Sequence, residues 1–169
     1  DLSRVLAGPW AGQIFGDLGA EVIKVERPGS GDFARGYDKR VRGMASHFVW
    51  ANRSKESLAI DVKNPILKKA LFDLVSTADV LVQNLAPGAA ERLGLGYETL
   101  SAINPGIIYA SISGFGQTGP WSARPGFDLM AQAASGIMSI TGHPDGPPAK
   151  SGGPLADIGC SMLTVYAIL

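Results

Sequence analysis

The chain has 169 residues, enough for one domain with a sizeable core. Its 15 basic and 15 acidic residues balance, which removes the electrostatic case for nucleic acid or an anionic membrane as its main partner. The one cysteine, Cys160, excludes a disulfide framework within the chain, and no apolar stretch is long enough to span a bilayer.

Residues 2–6 predict a short buried strand. Residues 10–18 predict a helix, with Ile14 and Leu18 four apart and Gly19 as its C-cap. Residues 22–25 follow as a strand, giving a βαβ unit and hence a parallel sheet. Residues 27–42 are rich in Gly and charge and predict a surface loop, before a helical turn or two at 46–51 and a strand at 58–60. The clearest helix runs over 65–77, with Asn64 as N-cap, Pro65 in the first turn and Leu67, Leu71, Leu74 and Val75 as its apolar stripe. A strand at 80–82 ends at Gln83-Asn84. Short helices are predicted at 89–93, capped by Gly94, and at 97–103, stopped by Asn104-Pro105-Gly106. A strand at 107–112 and helices at 127–135 and 158–169 complete the pattern. The alternation predicts one α/β domain, a Rossmann-like open, mostly parallel sheet with helices on both faces.

Two stretches carry chemical signals. Gly114-Phe115-Gly116-Gln117-Thr118-Gly119-Pro120 leaves a strand and turns sharply. Gly153-Pro154-Leu155-Ala156-Asp157-Ile158-Gly159 sets one carboxylate at the expected start of the last helix. There the helix dipole and unpaired N–H groups would keep Asp157 ionised, and an ionised, partly buried carboxylate can act as a nucleophile. By position alone, Asp157 reads first as an ordinary helix N-cap. His47 and His143 read as loop or surface residues, and His143 lies in the turn sequence Thr141-Gly142-His143-Pro144-Asp145-Gly146. An NAD-binding reading of the opening βαβ unit, with Glu26 as the ribose acid, fails because Ala7-Gly8-Pro9-Trp10-Ala11-Gly12 is not G-x-G-x-x-G. No His/Cys/Glu cluster has metal-ligand spacing, so no metal is expected.

Further motifs run nearly end to end: residues 1–9, 16–26, Gly31-Asp32 followed by Arg35-Gly36, Asn84, Pro87-Gly88 and Arg92-Leu93-Gly94. Together with the two stretches above, in this order and spacing, they resemble the family III CoA-transferases, a family that also includes α-methylacyl-CoA racemase. The resemblance implies a CoA-transferase that moves CoA from an acyl-CoA to a free carboxylic acid through an aspartyl intermediate. It places Asp157 at the nucleophile position and Arg35, Asn84, Arg92 and, more weakly, Arg4 at positions that contact CoA. Guanidinium groups suit the phosphates of CoA, because they pair bidentately with phosphate oxygens. CoA and acyl-CoA are then substrates, with no tightly bound cofactor. A homodimer of interlocked chains is implied, as is a cytoplasmic setting, or a mitochondrial or peroxisomal matrix in a eukaryote.

The racemase branch carries His before the residue that matches Asp128, whereas this chain has Phe127, which moves no proton. Leu6, Pro125 and Phe127 depart from formyl-CoA transferase, which speaks against formyl-CoA as substrate. Family members are more than twice this length, so residues 1–169 are expected to be the N-terminal part of the large domain. A CoA-binding fragment, inactive by itself, is the remaining alternative.

Overall fold

The computed structural model describes residues 1–169. In chain order the elements are α1 (Ala7–Asp17), β1 (Ile23–Glu26), a 3-10 turn (Phe33–Gly36), α2 (Ser46–Asn52), β2 (Glu56–Ala59), α3 (Pro65–Val75) and β3 (Val80–Gln83). Then come α4 (Ala89–Arg92), α5 (Tyr97–Ile103), β4 (Ile108–Ser111), α6 (Asp128–Ala134), a second 3-10 turn (Ile137–Ile140) and α7 (Leu155–Ile168).

β1 pairs in parallel with β2, and β3 in parallel with β4. The first residues of the chain join the two pairs. Asp1 O accepts from the Val25 N–H at 2.9 Å, and the Leu2 N–H donates to Val82 O at 2.8 Å. The order across the molecule is therefore β2, β1, the opening segment, β3, β4, which is a doubly wound arrangement. The expected α/β class is what the structure has.

Side chains on β3 show why helices cover both faces. Leu81 packs with Leu2, Ile60, Leu71, Val75, Leu100 and Ile107, on the side of α3 and α5. Its neighbour Val82 points the other way, to Ala7, Ile112 and Cys160, on the side of α1 and α7. Both faces of the strand are apolar, as a parallel sheet requires.

Local signals hold well where the cap lies beside the helix. The Asn64 side chain accepts from the N–H groups of Ile66 and Leu67, with Pro65 in the first turn. The expected strand over 2–6 does not form: the segment meets β1 and β3 through isolated backbone hydrogen bonds, the Asn84 side chain takes both backbone groups of Arg4, and Val5 turns away with φ +67°. α1 consequently starts at Ala7, three residues before its expected start. α7 likewise begins at Leu155, before Asp157.

One close approach shapes the loop between β4 and α6. Gly114 and Gly126 pass backbone to backbone, and a side chain on either would collide with the other's Cα. The glycine of the first motif thus closes a loop whose far end leads straight into Phe127 and Asp128.

Candidate active site

The sheet's strand order reverses at the opening segment, which lies between β1 and β3. In open α/β sheets, ligands settle outside the strand carboxyl ends at such a point. Here the Arg4 N–H donates to Asn84 Oδ1 at 2.7 Å, and Asn84 Nδ2 donates to Arg4 O at 2.8 Å. Asn84 therefore clamps two loops at the switch point, with both ends of its amide committed to backbone.

Beside it lies a buried charged network. Asp32 pairs with Lys24 at 3.0 Å, both side chains almost wholly enclosed, and accepts from the N–H groups of Val5 and Ala34. Lys24 Nζ also donates to Ser3 O at 2.9 Å. Glu26 receives Arg35 Nε at 2.9 Å and Nη2 at 2.5 Å, Ser57 Oγ at 2.9 Å and the Asp32 N–H at 3.0 Å. Burial works to raise the Glu26 carboxyl, but these hydrogen bonds, Arg35's above all, outweigh it and hold it at about 2. A carboxyl lowered on folding adds stability above its unfolded value that is lost as pH falls through the folded one. Acid unfolding of the wild type is thus expected to steepen from about pH 4.5 down to about 2. Glu26→Gln flattens that limb, and circular dichroism against pH measures it; an unchanged limb contradicts the assignment.

A cavity of about 550 Å3 opens over these strand ends. Its lining includes Arg4, Arg27, Ile60, Val62, Lys63 and Leu95. With Lys24 neutralised by Asp32, the free positive charge at the cavity comes from Arg4, Arg27 and Lys63. The Arg4 and Arg27 guanidinium groups both lie over the Phe33 ring, at 5.6 and 5.5 Å from its centre. Burial and the Arg27 charge push the Arg4 guanidinium below its ordinary value, and Asp32 opposes them.

The sequence-based site residues divide. Arg4 lines the cavity and Asn84 stands at its edge through Arg4. Arg35 does not line it: its guanidinium is spent on Glu26 and on the Phe48 ring, 3.8 Å away. Arg92 is exposed and reaches Pro87 O at 3.4 Å. Arg27 and Lys63 went unnoticed in the sequence. Arg27 directly follows β1, and a charge just past a strand end was the available signal.

Asp157 sits half-buried in the first turn of α7. The N-cap role expected for it belongs instead to Asp128 of α6. Asp128 Oδ1 accepts from the N–H groups of Ala156 at 2.8 Å and Asp157 at 3.2 Å, while Gln132 Nε2 donates to Oδ2 at 2.7 Å. The Asp157 carboxylate itself accepts no hydrogen bond from the chain. Burial, and then the Asp128 charge, push its carboxyl above the ordinary value, and His47 pulls it back. These two effects act against the lowering expected from the helix end.

His47 departs from its surface reading. It is half-buried on α2, with Nε2 3.0 Å from Val5 O. His143 lies exposed in its turn, as expected. No helix is long and apolar enough to cross a membrane.

Comparison with known proteins gives this geometry a context. The model of CoA-transferase family III matches residues 1–169. A succinyl-CoA:glutarate CoA-transferase of Mus musculus is 46% identical over 170 residues, which cover 100% of this chain and 39% of the relative. An acetyl-CoA:oxalate CoA-transferase of Acetobacter aceti is 48% identical over 153 residues, covering 90% of this chain and 39% of the relative. Among solved structures, a CAIB/BAIF family protein from Brucella suis superposes with a TM-score of 0.93 at 44% identity, over 99% of this chain and 45% of that one. The chain spans 39% of the length of these two transferases and 45% of the solved structure. It belongs to CoA-transferase family III.

Proposed function

We propose that the full-length protein transfers CoA between carboxylic acids through Asp157. The observation that supports this most is the uncommitted carboxylate at the start of α7, with Asp128 holding the helix end so that Asp157 does not have to. In this reading, an Asp157 oxygen attacks the thioester carbonyl and CoA leaves as thiolate, giving a mixed anhydride. The thiolate then attacks the aspartyl carbonyl, forming an aspartyl-CoA thioester and releasing the donor acid. The acceptor carboxylate attacks that thioester to form a second anhydride and frees the thiolate again. Attack of the thiolate on the acceptor's acyl carbon yields the new acyl-CoA and restores the carboxylate.

The cavity over the strand ends is the place for the CoA nucleotide. Its apolar wall, Ile60, Val62 and Leu95, suits an adenine ring, and Arg4, Arg27 and Lys63 suit phosphate oxygens. Arg92, exposed nearby on α4, offers a further cation. Arg35 contributes by holding Glu26 and the loop that carries Arg27.

Arg27→Ala and Arg92→Ala in the full-length protein are each expected to weaken CoA by about 1–3 kcal/mol, the range of one charge-assisted hydrogen bond. Calorimetric affinities equal to the wild type for both would remove these residues from the site.

Relatives named for glutarate and for oxalate suggest dicarboxylic acids as the substrate class. The direct assay mixes full-length protein with succinyl-CoA and isotopically labelled glutarate or oxalate. Labelled acyl-CoA is the expected product; failure across a panel of dicarboxylates and monocarboxylates alike defeats the transferase reading. Phe127 speaks against the racemase alternative. It is 74% exposed at the head of α6 and carries no proton.

A further inference from the structure

Val5 lies against His47 in the turn that leads into α1. It is β-branched, yet its φ is +67°. A β-branched residue holds that conformation only where surrounding groups fix it. Two groups do so here. The Val5 N–H lies 3.1 Å from each carboxylate oxygen of Asp32. The Val5 carbonyl lies 3.0 Å from His47 Nε2, and because a carbonyl only accepts, that nitrogen carries the proton.

The His47 ring is itself held. Tyr37 and Trp50 meet it edge to face with centroids at 5.4 and 6.0 Å, and Trp50 stacks on Trp10 of α1 at 5.7 Å. The strained turn leads directly into α1, whose first residue touches α7. Ser161 Oγ lies 2.6 Å from Ala7 O and 2.8 Å from Asp157 O. The Ser161 hydroxyl has one proton, shared between Ala7 O and Asp157 O, and it ties the first residue of α1 to α7, so His47 and Val5 connect through two peptide links to the helix that carries Asp157.

We propose that His47 is a positioning residue for the transfer reaction: by holding the Val5 carbonyl it fixes the strained turn at the head of α1, and with it the placement of the Asp157 turn of α7. This rests on the reading of Asp157 as the nucleophile. His47 touches no reacting atom. Its effect therefore falls on the rate of the chemical steps more than on the capture of CoA, because the adjoining Arg4, which lines the cavity, stays clamped by Asn84 and the Val5 N–H stays held by Asp32.

The test uses three substitutions in the full-length protein. His47→Phe keeps the ring packing and removes the donor. His47→Gln supplies a donor of comparable reach. Val5→Gly lets the turn adopt its positive φ without a clamp. His47→Phe is expected to lower kcat by about 10- to 100-fold, the scale of a small misplacement of a reacting group, with KM for acyl-CoA little changed. His47→Gln recovers most of the loss. In the Val5→Gly background His47→Phe costs no more than about threefold, because the strain it guarded against is gone. Amide hydrogen exchange at Val5 quickens in His47→Phe and not in His47→Gln.

Wild-type kcat in His47→Phe overturns the inference, as does an equal loss in His47→Gln or in the Val5→Gly background. The double variant keeps the test decisive even where His47→Phe alone loses stability, since glycine removes the strain. A wild-type protein that transfers CoA yet never modifies Asp157 overturns the nucleophile reading and this inference together. Transfer through Asp157 that ignores His47 overturns this inference alone.

Discussion

Asp157→Ala in the full-length protein is expected to reduce CoA transfer by at least ~10^3-fold, the scale on which loss of a covalent nucleophile acts. Fold and CoA affinity stay close to wild type, because the Asp157 carboxylate bonds to nothing in the chain and lies outside the lining of the cavity proposed for CoA. Stability near neutral pH is expected to rise slightly, since the substitution removes a half-buried charge that Asp128 repels. The same raised carboxyl sets a pH dependence. Only the ionised form attacks a thioester, so the rate falls as pH drops through the folded value, which lies above the ordinary 3.8. Asp128→Asn removes the repelling charge and moves that acid limb downward. A variant at Asp157 that retains a few per cent of wild-type transfer contradicts the covalent role.

The largest stability effect is expected at Asp32. Its carboxylate pairs with Lys24, and their side chains are 1% and 2% exposed. Removing one partner of such a pair leaves an uncompensated buried charge and costs about 3–5 kcal/mol. Asp32→Ala also strips the acceptor from the N–H groups of Val5 and Ala34, releasing the turn at the head of α1. Denaturant unfolding measures the loss. Replacing both partners, Asp32→Leu with Lys24→Met, is expected to recover much of it, because no lone charge then remains buried. A cost below about 1 kcal/mol for Asp32→Ala would place the pair among weak surface contacts and contradict its burial.

Features governed by nearby residues were legible in the sequence. The helix after Asn64 begins where its cap and proline put it, and α5 runs from Tyr97 to Ile103 as the stop at Asn104-Pro105-Gly106 requires. Gly19 follows α1, with the N–H groups of Gly19 and Ala20 closing back on Gly16 and Phe15. The alternation of strands and helices was enough for the doubly wound class.

What escaped depends on partners distant in the chain. The cap of α7 comes from Asp128, 28 residues before Ala156, so a local search assigned it to Asp157. The strand expected over 2–6 does not form, because Asn84, 80 residues on, takes the backbone of Arg4. Nothing in the sequence ties Arg35 to Glu26, and Arg27 and Lys63 come to one cavity only when β1 and β2 lie side by side. His47 looked like a loop residue until the turn at Val5 came up against it.

The central claim, that Asp157 carries the acyl and CoA groups in turn, is tested most directly by mass spectrometry. The full-length protein is mixed with succinyl-CoA, quenched within the first turnovers and digested. The account predicts the mass of a CoA thioester, or of a succinyl anhydride, on the peptide that contains Asp157, and its disappearance when the acceptor acid is added before the quench. Turnover at the full rate with that peptide unmodified, or with the adduct on another residue, would contradict it.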